Sequence, residues 1–225
     1  MRGAPIRHAT LVALALYGIG PAPPGAVPHA ALGAAPARAA TSLGDVERAL
    51  AATRSMTARF RQTAQDGSVA TGTMALKRPG RIRFDYGPGA TFLVVADGQR
   101  LSFVDYQVAQ VAQWPLRQTP LAVLLDPEAD LARVARIVPN AESPLPGTVT
   151  VEAQDPRRPE LGRIRFFLAP DPAAPGGLRL AGWRVIDGQN NLTQVELTDI
   201  RWNVALPESL FRFRDPRRRA VRPGA

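Results

Sequence analysis

The hydrophobic pattern changes period along this chain, and each change predicts a different element. Leu43, Val46, Leu50 and Thr53 recur at three- and four-residue spacing behind Thr41 or Ser42, either of which suits a helix N-cap. They predict a short amphipathic helix with Asp45, Glu47 and Arg48 on its solvated face. Over 57–63 the period drops to two, with Ala58 and Phe60 alternating with Arg59 and Arg61. Asp66-Gly67 is a hairpin signal leading into 69–77, and Pro79-Gly80 precedes the alternating Ile82, Phe84 and Tyr86. Strand patterns continue over 91–96, 100–105 and 107–114, then over 148–153, 163–169, 178–187 and 191–202. Their connections are Pro88-Gly89, Asp97-Gly98, Asp155-Pro156, Pro175-Gly176-Gly177 and Asp187-Gly188. About ten or eleven strands joined mostly by tight turns predict one antiparallel meander.

One interruption falls at 119–131. Thr119 is placed to cap, Pro120 suits a first helical position, and Leu121, Val123, Leu124 and Leu125 follow before Asp126-Pro127. A second short helix is expected over 128–131. Helices this short are unstable alone and must lean on the sheet, yet they cover only part of it. Curling the sheet toward a barrel buries the remainder, and helices then plug the open mouth. The expected fold is therefore mainly β (α+β): an open, incomplete antiparallel β-barrel of about eleven strands with a helical lid over an apolar cavity. Phe60, Ile82, Phe84, Val94, Phe103, Phe166 and Trp183 are its predicted inward residues.

The N-terminal end sets the expected location. Arg2, Arg7 and His8 precede an apolar stretch at 9–19, and Ala37-Arg38-Ala39 fits the small-x-small rule for signal cleavage. Residues 1–39 are read as a signal peptide and 40–225 as a single domain, although cleavage after Ala35 or Ala37 fits as well. The apolar stretch falls short of the roughly 20 residues a membrane span needs. With no cysteine in the chain, no lipid-bearing N-terminal Cys can anchor it, so a soluble periplasmic protein is expected.

Composition narrows the chemistry. Both histidines, His8 and His29, lie before the expected cut, and Cys is absent. A mature chain without His or Cys has no imidazole base, no thiol nucleophile and no ordinary zinc ligand set. There is no glycine-rich phosphate loop. Asp97, Asp105, Asp187, Glu196 and Asp199 sit on or beside strands, mostly at turn positions where Asp serves local hydrogen bonding. No catalytic residue, metal or cofactor is expected. Removing Arg2, Arg7 and Arg38 with the leader lowers the net charge of +9 to about +6. Lys77 is the sole lysine, a skew that reads as genome composition, and no nucleic-acid partner is expected. Arg212, Arg214, Arg217, Arg218, Arg219 and Arg222 make a basic C-terminal end, read as a solvated tail or as a dock for anionic headgroups. The residues alone thus describe an exported, β-rich binder of something apolar.

Several stretches carry a resemblance: RFRQT (59–63), LKRPGRIRFDY (76–86), LVVADGQRLSFVD (93–105), TPLAVLL (119–125), WRVIDGQNNLTQVEL (183–197) and LFRFRDP (210–216). In order and spacing the chain resembles the periplasmic lipoprotein carrier family (LolA-like) over most of its mature length. The resemblance implies an open barrel whose helical lid, with Leu121, Leu124 and Leu125, gives way to the acyl chains of a lipoprotein. It also implies an inner-membrane ATP-binding-cassette complex that releases the cargo, and a monomeric carrier that takes it to the outer membrane. Delivery is either to an outer-membrane receptor or directly by the carrier itself. The family's lid-latching arginine follows Lys and precedes Pro, which places it at Arg78. The chain departs from the family's pattern at Leu101-Ser102-Phe103, where a Trp is frequent, and in the charged flanks Arg81 and Arg83 of Ile82. Two other readings stay open: a periplasmic binding or sensing module for another lipid or glycolipid on the same fold, and a carboxylate-based hydrolase.

Overall fold

The computed structural model describes residues 41–219 apart from 127, 129 and 139–144. The expected signal peptide and Arg222 lie outside the described residues, as do the side chains of Arg218 and Arg219.

Helix α1 (Leu43–Ala52) begins with a capping box. Ser42 Oγ accepts from the Asp45 N–H, and the Asp45 carboxylate accepts from the Ser42 N–H at 2.7 Å. Those Ser42 hydrogen bonds, aided by Arg48, hold the Asp45 carboxyl below its ordinary range. Ser42, not Thr41, is the cap, because its fourth-position partner is an acid. The strands follow: β1 (Ser55–Ala64), β2 (Val69–Lys77), β3 (Arg81–Asp85), β4 (Phe92–Asp97), β5 (Arg100–Asp105) and β6 (Gln110–Pro115). A single 3-10 turn at Leu116–Gln118 leads to α2 (Leu121–Leu125) and α3 (Leu131–Val134). The second run is β7 (Ala135–Val138), β8 (Val149–Ala153), β9 (Arg163–Pro170), β10 (Leu178–Ile186) and β11 (Leu192–Trp202).

All strands join one antiparallel sheet of 11 strands in the order β6-β5-β4-β3-β2-β1-β11-β10-β9-β8-β7. Each half is a meander, and β1 pairs with β11 in the middle to fuse them. Strands β6 and β7 are therefore the two edges, although they are neighbours in sequence. The sheet is not closed, and the chain between its edges, carrying α2 and α3, spans the gap. No helix among the described residues is long and apolar enough to cross a membrane.

Period-two alternation sorts the side chains between the two faces. On β1, Met56, Ala58, Phe60, Gln62 and Ala64 are buried, while Arg59 and Arg61 are exposed. The concave face packs against Val46, Ala49 and Leu50 of α1 and against Leu121, Leu124, Leu125 and Leu131 in one core cluster. Close docking of α1 depends on Gly176 in the β9–β10 turn. A Cβ there would sit 2.7 Å from the Ala49 Cα, and its φ of +70° favours glycine.

The convex face of β2–β6 is covered by the C-terminal segment. Phe211, 2% exposed, packs with Leu206, Leu210 and Phe213 on Ala75, Leu93, Val95 and Val104. Arg81 and Arg83 point outward and help hold this strap. Lys77 and Arg81 reach Glu208 at 2.6 and 2.8 Å, and Arg83 donates to the Leu210 carbonyl. The basic end is accordingly not simply a solvated tail. Phe211 and Phe213 turn inward while Arg212 and Arg214 stay exposed, and Arg217 pairs with Asp215.

The structure corrects four local expectations. Strand β6 starts at Gln110 because 106–109 forms a turn with Ala109 at φ 52°. Strand β7 is an additional edge strand of four residues, too short to show a period. Helix α3 lies at Leu131–Val134 rather than over 128–131, because the Glu47 carboxylate on α1 accepts from the Leu131 N–H at 2.9 Å. Glu47, half-buried on the helix's polar face, thus also ties the two helices together. The Thr119 hydroxyl donates to the Leu116 carbonyl and closes the preceding turn, while Pro120 itself occupies the cap position of α2.

Candidate functional site

The concave wall is a run of aromatic rings. Centroids step from Trp183 to Phe84 at 6.0 Å, Phe84 to Phe60 at 5.3 Å, Phe60 to Tyr86 at 5.1 Å, Tyr86 to Phe92 at 4.4 Å and Phe92 to Phe103 at 6.0 Å. The first three contacts are edge-to-face, the arrangement the ring quadrupole favours. The run crosses from β10 through β3 and β1 to β4 and β5, so its continuity depends on the central β1–β11 pairing that joins the two halves of the open sheet. Gly72 on β2 makes room for it. Gly72 lies opposite Phe60, and a Cβ there would meet the Asp85 carbonyl at 2.1 Å and the Phe60 ring at 2.8 Å.

The predicted inward residues are distributed unevenly along this wall. Phe60, Ile82, Phe84, Phe166 and Trp183 share one buried cluster with Leu121, Leu124 and Leu125 of α2. Val94 is half-buried at the margin of that cluster, and Phe103 lies beyond it, half-buried against Phe92. Leu121, Leu124 and Leu125 are all buried, so the space inside the sheet is filled by lid and α1 side chains. The hollows open elsewhere. One of about 470 Å³ lies between the lid's outer side and the β8–β9 connection, and one of about 730 Å³ lies on the convex face.

Sequence reasoning left Phe92, Tyr86 and Gln62 out of the inward set, although it read Tyr86 in alternation with Ile82 and Phe84. Phe92 was within reach, since it shares the alternation phase of Val94 on β4. Tyr86 lies just past the end of β3 and keeps the inward phase of Ile82 and Phe84. It donates from its hydroxyl to Gln62 Oε1 at 3.0 Å. Burial pushes the Tyr86 hydroxyl well above its ordinary pKa, so it keeps its proton.

Arg78, only 8% exposed, stands at the β2–β3 turn and reaches both helices. Its Nε and Nη2 donate to the Leu124 carbonyl at 3.1 and 2.9 Å. Its Nη1 donates to the Leu50 carbonyl at 2.6 Å and also to the Thr53 carbonyl. These acceptors lie in the last turns of α2 and α1, where helix carbonyls lack intrahelical partners and the dipole favours a cation. Nearby, the Gly80 N–H donates to the Leu125 carbonyl at 3.0 Å. Burial lowers the Arg78 pKa to about 10, which leaves it charged at neutral pH.

The turn carboxylates serve their own loops. Asp97 accepts from the Gln99 and Arg100 N–H groups, Asp105 from those of Gln107 and Val108, and Asp187 from those of Gln189 and Asn191. Glu196 accepts from Gln194. None of these hydrogen bonds joins two of the acids across a cleft.

The sequence matches the family described as Outer membrane lipoprotein carrier protein LolA over residues 51–214. It is 31% identical over 189 residues to an outer-membrane lipoprotein carrier protein of Nitrosospira multiformis, covering 79% of this chain and 86% of that one. Against the protein of the same description from Bordetella pertussis the identity is 30% over 196 residues, with 83% and 89% covered. A solved LolA superfamily protein from Nitrosomonas europaea superposes with a TM-score of 0.42 at 11% identity, covering 78% of this chain and 99% of that one. With the family match spanning most of the described residues, this chain belongs to the outer-membrane lipoprotein carrier family.

Proposed function

We propose that this protein carries the acyl chains of lipoproteins through the periplasm, from the inner membrane to the outer membrane, against its aromatic concave wall. It is a binding protein, not an enzyme, and lipoprotein is its cargo. The observation that carries the mechanism is the double hold of Arg78, which ties the ends of α1 and α2 across that wall. In this reading the packed α2 and the Arg78 hydrogen bonds represent the closed lid. Acyl chains replace the α2 leucines against Phe60, Phe84 and Trp183, and the Arg78 hydrogen bonds break as the lid leaves. Val94 and Phe103 extend the lining past the lid's edge.

Magnitudes support a carrier rather than a trap. Burying one methylene yields about 0.8 kcal/mol, so one long chain brings on the order of 10 kcal/mol of gross driving force. Displacing Leu121, Leu124 and Leu125 returns roughly 5–9 kcal/mol of burial, at about 1.5–3 kcal/mol each. The difference leaves cargo held yet transferable. An ATP-binding-cassette complex in the inner membrane supplies the loading step, and an outer-membrane receptor or the bilayer itself takes the cargo. A signal peptide over residues 1–39 brings the chain to that compartment, where it acts as a soluble monomer.

The test is a release assay. The purified protein is added to spheroplasts or to vesicles containing the transporter, and the soluble fraction is probed for triacylated lipoprotein. ATP-dependent appearance of a one-to-one soluble complex is expected. Lipoprotein that stays on the membrane, with native mass spectrometry finding a different bound lipid, would overturn the cargo assignment in favour of a lipid- or glycolipid-sensing module.

A further inference from the structure

Gln62 breaks the apolar run on the concave face of β1. It lies between Phe60 and Ala64, is 4% exposed, and pairs across β11 with the buried Val195. A buried amide in such a wall needs partners for both its ends. The Tyr86 hydroxyl satisfies Oε1 at 3.0 Å, and the Tyr86 ring is itself wedged between Phe60 and Phe92. That hydrogen bond orients the amide and turns the Nε2 donors away from Tyr86. Nε2 has no protein acceptor among the described residues and is not sealed from solvent, so it faces the open part of the wall.

The position along β1 adds a direction. Arg78 follows Lys77, which pairs with Ser55 at the start of β1, so the latch stands at that end of the barrel. Gln62 is seven residues further on, roughly 23 Å away at a strand's rise of about 3.3 Å per residue. Beside it the wall is half-open: Tyr86, Phe92 and Phe103 are only partly buried, and the turns after β1, β3 and β5 form the rim.

We infer that Gln62, oriented by Tyr86, is a polar subsite that receives an ester carbonyl at the head of a bound acyl chain. The subsite rests on the carrier reading. It gives the bound lipid a polarity, with the head at the hairpin rim and the chain ends running toward Arg78. Chain ends arriving under α2 then displace the latch last, after the head is seated. Gln62 makes the contact, and Tyr86 is a positioning residue. A few placed polar groups in an otherwise apolar pocket are what fix a ligand's orientation.

The test titrates the protein with a synthetic diacylglyceryl-cysteine lipopeptide and with its ether-linked counterpart of equal chain length, which lacks the ester carbonyls. The expected result is tighter binding of the ester form by about five- to tenfold, the effect of one ordinary hydrogen bond. Gln62→Leu should abolish that preference while keeping the affinity for the ether form. Gln62→Met, close in length and without a donor, serves if the first variant does not fold. Tyr86→Phe, which keeps the ring contacts, should reduce the preference. Equal affinities in the wild type, or a preference that survives loss of the Gln62 amide, overturn the subsite and leave the carrier reading standing. Binding of neither lipid overturns both.

Discussion

Arg78 and Leu124 are joined by a forked contact, in which Nε and Nη2 of one guanidinium converge on one carbonyl at 3.1 and 2.9 Å. The third nitrogen, Nη1, is thereby left to face α1 and its Leu50 and Thr53 carbonyls. A planar donor set makes this possible, whereas an ammonium is a compact point charge without a fixed fork.

Removing the fork should loosen the lid before it unfolds the barrel. Arg78→Leu leaves the Leu50, Thr53 and Leu124 carbonyls without that donor, a loss of about 3 kcal/mol of local stability. Amide exchange over 121–126 should accelerate about a hundredfold, while β1 and β11 stay protected. Arg78→Lys should restore only a small part. Equal exchange in wild type and Arg78→Leu would remove the latch from the mechanism.

The latch should ignore pH across the neutral range. Burial brings Arg78 down to about 10 from the ordinary guanidinium range, so folded and unfolded chains both hold that proton below about pH 9. Exchange protection of α2, corrected for intrinsic rate, should therefore be flat from about pH 6 to 9. A marked opening within that window would point to another titrating group.

Acid sensitivity is expected from Glu152. Burial pushes its carboxyl up, but hydrogen bonds and charge from Arg136 and Arg165 outweigh this and hold it below 4.5. A depressed carboxylate contributes stability that is fully present above its unfolded value and is lost as the pH falls through the folded one. Melting temperature should accordingly fall below about pH 4.5, and Glu152→Gln should flatten that limb while lowering stability at neutral pH. Asp45 and Glu208, also depressed, keep the limb from vanishing.

Gly72→Val should be costly for a wall that needs Phe60 in place. The added side chain collides with the Asp85 carbonyl and the Phe60 ring, and overpacking of this kind costs about 1–3 kcal/mol. In a domain of this size that lowers the melting temperature by roughly 2–4 °C per kcal/mol. Phe211→Ala should be worse, at about 3–5 kcal/mol, because it empties the core under the C-terminal strap. Trypsin should then cut at Arg212 and Arg214 sooner than in the wild type.

Much of the architecture was legible because strand patterning is local. Alternations such as Ile82-Arg83-Phe84 and Arg163-Ile164-Arg165 assign faces without knowledge of any partner strand, and Asp-Gly and Pro-Gly pairs mark the turns. The same locality explains the failures. Strand β7 has four residues and an edge position, so it carries almost no pattern. Helix α3 is placed by Glu47 from α1, an interaction across 84 residues that no window can contain.

By itself, the sequence determined a β-meander interrupted by short helices, most of its inward aromatic residues, and a described part without His or Cys. Resemblance added Arg78. Only the tertiary structure decided that β1 and β11 fuse the halves and that β6 and β7 are left as edges for the lid to bridge. It likewise decided that Gln62 meets Tyr86 inside the wall, and that residues 206–213 pack as a strap. The physical reason is common to all of these. Periodicity states which face a residue prefers, but which distant residue it meets there depends on sheet closure and packing, which are properties of the whole chain.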